Sequence, residues 1–392
     1  MKDDKLKVFA IIPSGFCFGL QHVTIDFFKR FDQTDSLFLV TGWNNGDFIK
    51  LLKANGLRYT ISWLGMFSRS LAWNNVKMSS HALIRLPKLY FDFFRVLRTF
   101  KPDVLYFANH HELILLYPVL KITKLPIVCH MHDPAPIIAF QKKSFSFYSS
   151  VVNQFIAISE SVRERTIQLG CPPEKITTLH NGINMPHHSR LERVNTFCER
   201  FNWGSDVFII GITGQMTATK GHMDLLEAFK IAYQQNSKLR LVIGGIAMEP
   251  LYSELKVRIN DWRIEGAVAF SGWMPSINTF FEGIDAFVLA SRHDEGYGLV
   301  VAEAMANSVP VIITASGGAV EIVRDNLNGF IVPKGDVKLI AEKIIFLATN
   351  TVLCTDMGNV ARQFISLNFN INAQAVALQA LLFKIKENAL RP

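Results

Sequence analysis

Short, continuous apolar runs alternate along this chain with longer windows in which apolar residues recur every three to four positions. Val8–Pro13, Ser36–Thr41, Tyr59–Leu64, Val104–Ala108, Ile127–His130 and Phe155–Ile158 read as buried strands. Gln21–Phe31, Arg85–Phe100 and Glu160–Leu169 carry helical spacing between them. A second series of strands follows at Phe208–Thr213, Leu239–Ile243, Val268–Phe270, Ala286–Ala290 and Val309–Thr314. Helical windows at His222–Gln235, Leu251–Trp262, Leu299–Ala306 and Val337–Ala348 separate them. Such alternation predicts the α/β class, with parallel sheets and helices on both faces.

The two series break at Met185–Trp203, a polar stretch with Pro186 and several arginines, which predicts a linker. Residues 1–190 and 204–370 are therefore expected as two domains. The last helical window, Ala373–Lys386, exceeds what the second sheet needs, so the segment 371–392 is expected to pack back on the first domain. In open parallel sheets, ligands sit beyond the carboxyl ends of the strands, and two such halves facing each other make a cleft.

Composition narrows the classes. The apolar fraction of 49% is ample for two cores and excludes a disordered chain. The run Leu113–Leu120 contains Pro118 and falls far short of the about 20 residues that a spanning helix needs. The N-terminus leads straight into a strand without a signal-peptide pattern, so a cytoplasmic location is expected. Cys17, Cys129, Cys171, Cys198 and Cys354 are scattered without a C-x-x-C pair, which fits reduced thiols better than disulfides or zinc. A formal charge of +8 favours an anionic partner. With no zinc-finger or RNA-recognition signature, that partner is expected to be a phosphate or a membrane surface and not nucleic acid.

Three strand-to-glycine-to-helix transitions fall in the second half. In the first, Ser291-Arg-His-Asp-Glu-Gly-Tyr-Gly-Leu follows a strand, and Gly296 and Gly298 open a helix that contains Glu303. Glycines there let backbone N–H groups approach an anion, and the helix N-terminus contributes about half a positive charge. A carboxylate such as Glu295 or Glu303 accepts hydrogen bonds from the adjacent hydroxyls of a ribose or hexose. Taken singly, Glu303 is equally a solvated helix residue and Glu295 a helix cap. The second transition, Gly214-Gln-Met-Thr-Ala-Thr-Lys220-Gly221, lacks P-loop spacing but sets an ammonium where a strand end meets a helix start. The third is Thr314-Ala-Ser-Gly317-Gly318-Ala-Val-Glu321.

Together, E-G-Y-G-L-V-V-A-E-A-M-A, P-V-I-I-T-A-S-G-G-A-V-E-I-V and N-G-F-I-V resemble, in order and spacing, the retaining family 4 glycosyltransferases (glycosyl transferases group 1). Upstream, Ala157-Ile-Ser-Glu-Ser-Val-Arg and Ile176-Thr-Thr-Leu-His-Asn181-Gly182-Ile are similar to the family's signatures closing its first domain. His132-Asp133 looks like the first-domain histidine that reaches the donor sugar, and Gly15 and Gly19 match the family's first glycine loop.

The resemblance implies the GT-B fold, two Rossmann-like domains facing across a cleft, with the acceptor side N-terminal and the donor side C-terminal. It implies sugar transfer from a nucleotide diphosphate sugar to a glycan or lipid-linked acceptor in polysaccharide biosynthesis, with no cofactor beyond that co-substrate. Glu303 would hold the donor ribose and Glu295 the transferred sugar's hydroxyls. Lys220, with backbone N–H groups near Gly298 and Leu299, would bind the pyrophosphate. His132 would sit near the anomeric carbon, and Gly19, Gln215, Gly296 and Tyr297 would complete the donor set. His132, Glu295 and Lys220 form the implied catalytic group. Gln215 departs from the family, which mostly carries Arg there. Lys220 and helix dipoles suffice, or Arg292 compensates, or turnover is slow.

The chain contains no Asp-x-Asp triplet, the motif with which the other main glycosyltransferase fold holds a metal, so metal-independent transfer is expected. The competing readings are a nucleotide-sugar 2-epimerase and a non-catalytic sugar-nucleotide-binding subunit. The first needs no acceptor, and Gln215 keeps the second open. His110 and His111 follow a strand and either bind acceptor or cap the next helix. In residues 81–101, Leu83, Ile84, Leu86, Leu89, Phe91, Phe93 and Phe94 interleave with Arg85, Lys88, Arg95, Arg98 and Lys101. Such a helix lies on an anionic bilayer, which would make the protein peripheral at the inner membrane, or packs its apolar face on the first sheet.

Overall fold

The computed structural model describes residues 5–12, 17, 19–32, 34–41, 46–62, 73–133, 137, 139–186, 196–274 and 276–390. The chain divides into two compact units, Met1–Gly182 with Ile371–Pro392, and Ile183–Asn370.

The first unit opens with β1 (Leu6–Ile12), α1 (Gly19–Phe28), β2 (Thr34–Thr41), α2 (Asp47–Ala54) and β3 (Arg58–Ser62). It continues with α3 (Trp73–Phe100), β4 (Val104–Phe107), α4 (Leu113–Leu120), β5 (Ile127–Met131) and α5 (Ala139–Val151). It closes its sheet with β6 (Gln154–Ala157), α6 (Glu160–Gln168) and β7 (Ile176–Thr178). The strands form one parallel sheet in the order β3-β2-β1-β4-β5-β6-β7, with Phe9 opposite Leu105 where β1 meets β4. β1 and β4 are continuously apolar apart from Lys7 because helices cover both faces, as the alternation predicted.

The second unit contains α7 (Thr196–Phe201), β8 (Phe208–Thr213), α8 (His222–Gln235), β9 (Leu239–Gly244), α9 (Leu251–Asp261) and β10 (Val268–Gly272). It continues through α10 (Ile277–Glu282), β11 (Ala286–Leu289), α11 (Leu299–Ala306), β12 (Val311–Thr314), β13 (Gly329–Val332), α12 (Val337–Thr349) and α13 (Thr351–Asn368). Its parallel sheet runs β10-β9-β8-β11-β12-β13. The final helix, α14 (Ile371–Leu390), belongs to the first unit. Arg30 Nε donates to Asn372 Oδ1 at 2.8 Å, and Lys386 Nζ pairs with Asp103 Oδ2 at 3.2 Å.

Local departures from the sequence reading have plain causes. β12 begins at Val311 and not Val309, after Pro310, which has no N–H to give to a ladder. β3 spans Arg58–Ser62, and the expected strand end at Trp63 and Leu64 lies outside the described residues. β7 and β13 are too short to show a period, and α4 is apolar on nearly every side, so periodicity missed all three. The polar stretch 185–203 carries α7, whose buried Phe197 packs on Phe280 with ring centroids 5.6 Å apart. Averaged polarity hides that anchor. Among the described residues, no helix is long and apolar enough to cross a membrane.

Candidate functional site

In the second unit β8 and β11 are adjacent, and the chain order reverses between them. Loops leaving the carboxyl ends of neighbouring strands diverge at such a point and open a crevice. The three glycine-bearing transitions leave β8, β11 and β12, three consecutive strands of this sheet.

After β8, Gln215 is exposed in the loop, and a single turn, Ala218–Lys220, leads to Gly221 and α8. Gly221 has φ +73°, and a Cβ there would stand 1.8 Å from the Ala290 carbonyl oxygen. Only glycine lets the Lys220 turn lie this close to the end of β11. The Arg292 backbone N–H donates to the Thr219 carbonyl at 2.9 Å, tying the two loops together.

Lys220 and Glu295, 75 residues apart in the chain, meet at this edge. Lys220 Nζ donates to both carboxylate oxygens of Glu295, at 2.9 and 2.8 Å. The lysine side chain is 30% exposed and that of the glutamate 8%. Ser291, buried at the end of β11, donates its hydroxyl to the same Glu295 oxygen Oε1. The Glu295 carbonyl accepts from Gly318 N–H at 2.8 Å. Gly317 holds φ +49°, and a Cβ there would be 2.2 Å from that carbonyl oxygen. Glu295 is thus held at side chain and backbone by the β11 and β12 loops. Charge-assisted hydrogen bonds of this sort are the strong ones.

Gly296 and Tyr297 lead to Gly298, which caps α11, so the first N–H groups of the helix, from Leu299 on, lie on the same loop. Tyr297 is buried against Phe369, and burial pushes its hydroxyl well above the usual phenol range. Glu303 sits half-buried on α11. Arg292 is itself paired within the unit. Its Nε donates to Asp224 Oδ2 at 2.8 Å, and the hydrogen bond to that buried carboxylate raises the guanidinium's pKa further. Lys334 is paired with Asp294 at 2.6 Å.

In the first unit, the histidines follow β4 and β5. His132, next after β5, is buried, and burial drives its pKa down to about 3. Its ring lies 4.3 Å from that of His130, which shares a 2.6 Å hydrogen bond with the Tyr106 hydroxyl. His110 is buried against Phe145, and burial, with His111 beside it, lowers its pKa to about 3. The His111 ring is 4.1 Å away and exposed. Both rings precede α4, where the N-cap position is held by Glu112 and not by either histidine. Glu112 itself escaped the sequence reading: it is buried, and burial pushes its pKa up to about 8. Nothing in its sequence context marks it, because the helix it precedes shows no period. Gly19 begins α1, and Gly15 lies outside the described residues.

The structure therefore brings Lys220, Glu295, Gly296, Tyr297, Gly298 and Leu299 together in the second unit. His110, His111, His132 and Gly19 belong to the first. Among the described residues, no group of three or more His, Cys, Asp or Glu is placed to hold a metal ion.

Two parallel α/β units, one with glycine loops at a strand-order reversal, define a two-unit Rossmann-like protein. The model described as Glycosyltransferase Family 4 matches residues 74–185, and that described as Glycosyl transferases group 1 matches residues 196–364. The capsular polysaccharide biosynthesis glycosyltransferase CapM of Staphylococcus aureus is 32% identical over 224 residues, 55% of this chain and 57% of that protein. N-acetyl-alpha-D-glucosaminyl L-malate synthase of Bacillus anthracis is 28% identical over 214 residues, 54% of this chain and 55% of that protein. The chain thus spans just over half the length of these curated relatives. In fold, Anabaena HepE in complex with UDP and glucose matches with a TM-score of 0.79 at 20% identity, covering 96% of this chain and 99% of that one. This chain belongs to the family 4 glycosyltransferases, of the GT-B fold.

Proposed function

We propose that this chain transfers a sugar, with retention, from a nucleotide diphosphate donor to a glycan or lipid-linked acceptor. The observation that carries the reading is the Lys220–Glu295–Ser291 cluster at the strand-order reversal of the second sheet. Lys220 and the N–H groups opening α11 take the charge of the diphosphate, Glu295 accepts from hydroxyls of the transferred sugar, and Glu303 accepts from the ribose. Gln215 adds only a neutral amide to the donor loop. His132, kept neutral by burial, is the first-unit candidate for a hydrogen bond to the transferred sugar. In front-face attack the acceptor oxygen bonds to the anomeric carbon on the side from which the diphosphate leaves. The anomeric C–O bond breaks, and a donor phosphate oxygen carries away the acceptor's proton. His110 and His111 are the candidates for acceptor contacts.

HepE, in complex with UDP and glucose, makes uridine sugars the first donors to test. CapM, named for capsular polysaccharide biosynthesis, points to a polysaccharide product. Thermal shift against UDP, GDP, ADP and CDP compounds identifies the base. A bound nucleotide at a hundredfold excess over Kd adds about 2.7 kcal/mol of stability. No shift with any of them overturns the reading. A shift without transfer to any acceptor favours the non-catalytic alternative. Since Lys220 and the helix N-terminus carry the leaving charge, EDTA is expected to leave the transfer rate essentially unchanged. Loss of activity with rescue by magnesium or manganese would refute metal independence.

An anionic membrane is the proposed surface partner. One face of α3 buries Leu89, Phe93, Val96 and Phe100 in the first unit, so the packing reading holds. The other face exposes Ile84 (74%), Phe91 (69%), Leu83 and Phe94 beside the exposed Arg85, Lys88, Arg95 and Arg98. Each basic residue near an anionic surface contributes about 1 kcal/mol, and inserted apolar groups add burial. Co-sedimentation with anionic liposomes is expected at low salt and is lost at high salt. Arg95→Glu with Arg98→Glu abolishes it. Equal, negligible binding to anionic and neutral liposomes excludes the contact.

A further inference from the structure

The two side chains assigned to different parts of the donor hold each other. Lys220 Nζ gives hydrogen bonds to both Glu295 oxygens at 2.9 and 2.8 Å, so two of its three protons are directed at the carboxylate. The partners are not equally free to move. Glu295 is buried, braced by Ser291 and fixed through its backbone by Gly318, whereas Lys220 is the more exposed and sits at the end of a single turn. An anion entering this loop cluster must therefore draw the ammonium away from a carboxylate that stays in place.

We infer that Glu295 is a built-in competitor for the Lys220 cation, and that this makes the site discriminate the intact donor from a bare diphosphate. The inference rests on the reading of Lys220 as the diphosphate ligand and Glu295 as the sugar ligand. When a nucleotide sugar binds, sugar hydroxyls donate to Glu295 and replace the ammonium, which turns to the phosphates. A bare diphosphate brings no donor for Glu295. Taking Lys220 then leaves a buried carboxylate without its cation and sets a second negative charge beside it, both of which are costly. The donor is held and the product nucleotide, stripped of its sugar, is expelled. Glu295 thereby determines specificity for the sugar-bearing form and promotes product release.

The test uses the full chain and two probe pairs. Inorganic pyrophosphate needs no knowledge of the base, and UDP against UDP-glucose reports the effect of the sugar. Glu295→Gln removes the charge while keeping the shape and an acceptor oxygen. Calorimetry is expected to show pyrophosphate and UDP binding about tenfold more tightly than to the native chain, the scale of one charge-assisted hydrogen bond. The affinity for UDP-glucose changes little or falls, so the preference for the donor collapses. Glu295→Asp, one methylene shorter, shifts affinities in the same direction and serves should the Gln variant fail to fold. Unchanged or weaker binding of both diphosphates to these variants, with Lys220→Ala weaker than native, overturns the inference and leaves the functional reading standing. Unchanged diphosphate binding in Lys220→Ala overturns both.

Discussion

Lys220→Ala is expected to lower the transfer rate by about 10²–10³, the cost of removing one preorganised group from developing charge in a shielded site. The reasoning starts from position. Lys220 ends the loop after β8, at the strand-order reversal, and its Nζ lies within hydrogen-bond reach of the residue assigned to the sugar. With Gln215 neutral and Arg292 engaged by Asp224, the contact to the diphosphate falls to Lys220, which the donor draws away from Glu295. The substitution also strips Glu295 of its ammonium, so the variant's fold is checked by near-ultraviolet circular dichroism and melting. Lys220→Arg keeps a charge and recovers part of the rate. A rate for Lys220→Ala within a few-fold of native would move the leaving-group contact elsewhere.

Gly221→Ala is expected to destabilise the second unit by about 3–4 kcal/mol, combining the cost of a left-handed backbone for a residue with a Cβ and the cost of overpacking. The Cβ would meet the Ala290 carbonyl oxygen at 1.8 Å, and that atom belongs to the backbone leaving β11, which cannot swing aside like a flexible side chain. Relief requires the Lys220 turn to lift from the strand end, which breaks the Arg292–Thr219 backbone bond and separates Lys220 from Glu295. Calorimetry should show melting lowered by about 10 °C, at the 2–4 °C per kcal/mol usual for units of this size. Gly335→Ala, also at positive φ but with open space around the Cβ, separates backbone strain from collision and should cost clearly less. Equal losses in the two variants would show that the close approach contributes nothing.

Much of the candidate site is legible in the sequence alone. Lys220, Glu295 and Gly298 stood out because each lies where a buried apolar run gives way to glycine and then to a helix, a pattern that local backbone chemistry imposes. The pairing of Arg292 was not legible, for an equally physical reason. A guanidinium in such a loop reads as an anion ligand, and its commitment to Asp224, on α8 and 68 residues away, follows no local rule. Glu112 shows the same limit from the other side. A glutamate before an apolar run is unremarkable in sequence, and only the packing of the first unit around it takes it out of water and moves its pKa to about 8.

The sequence by itself determined the α/β class, the succession of buried strands and covering helices, and the carboxyl strand ends as the place for chemistry. Period and length are local properties, set by which faces each element must bury. The tertiary structure decided which strand ends stand together. β8 pairs with β11 and not with β10, and that non-local choice alone brings Lys220 onto Glu295 across 75 residues. It also decided which face of α3 is buried: Phe93 and Phe91 are indistinguishable as residues, yet one lies in the core and the other on the surface. Strand order and helix rotation arise from packing summed over a whole unit, and no window of sequence contains that sum.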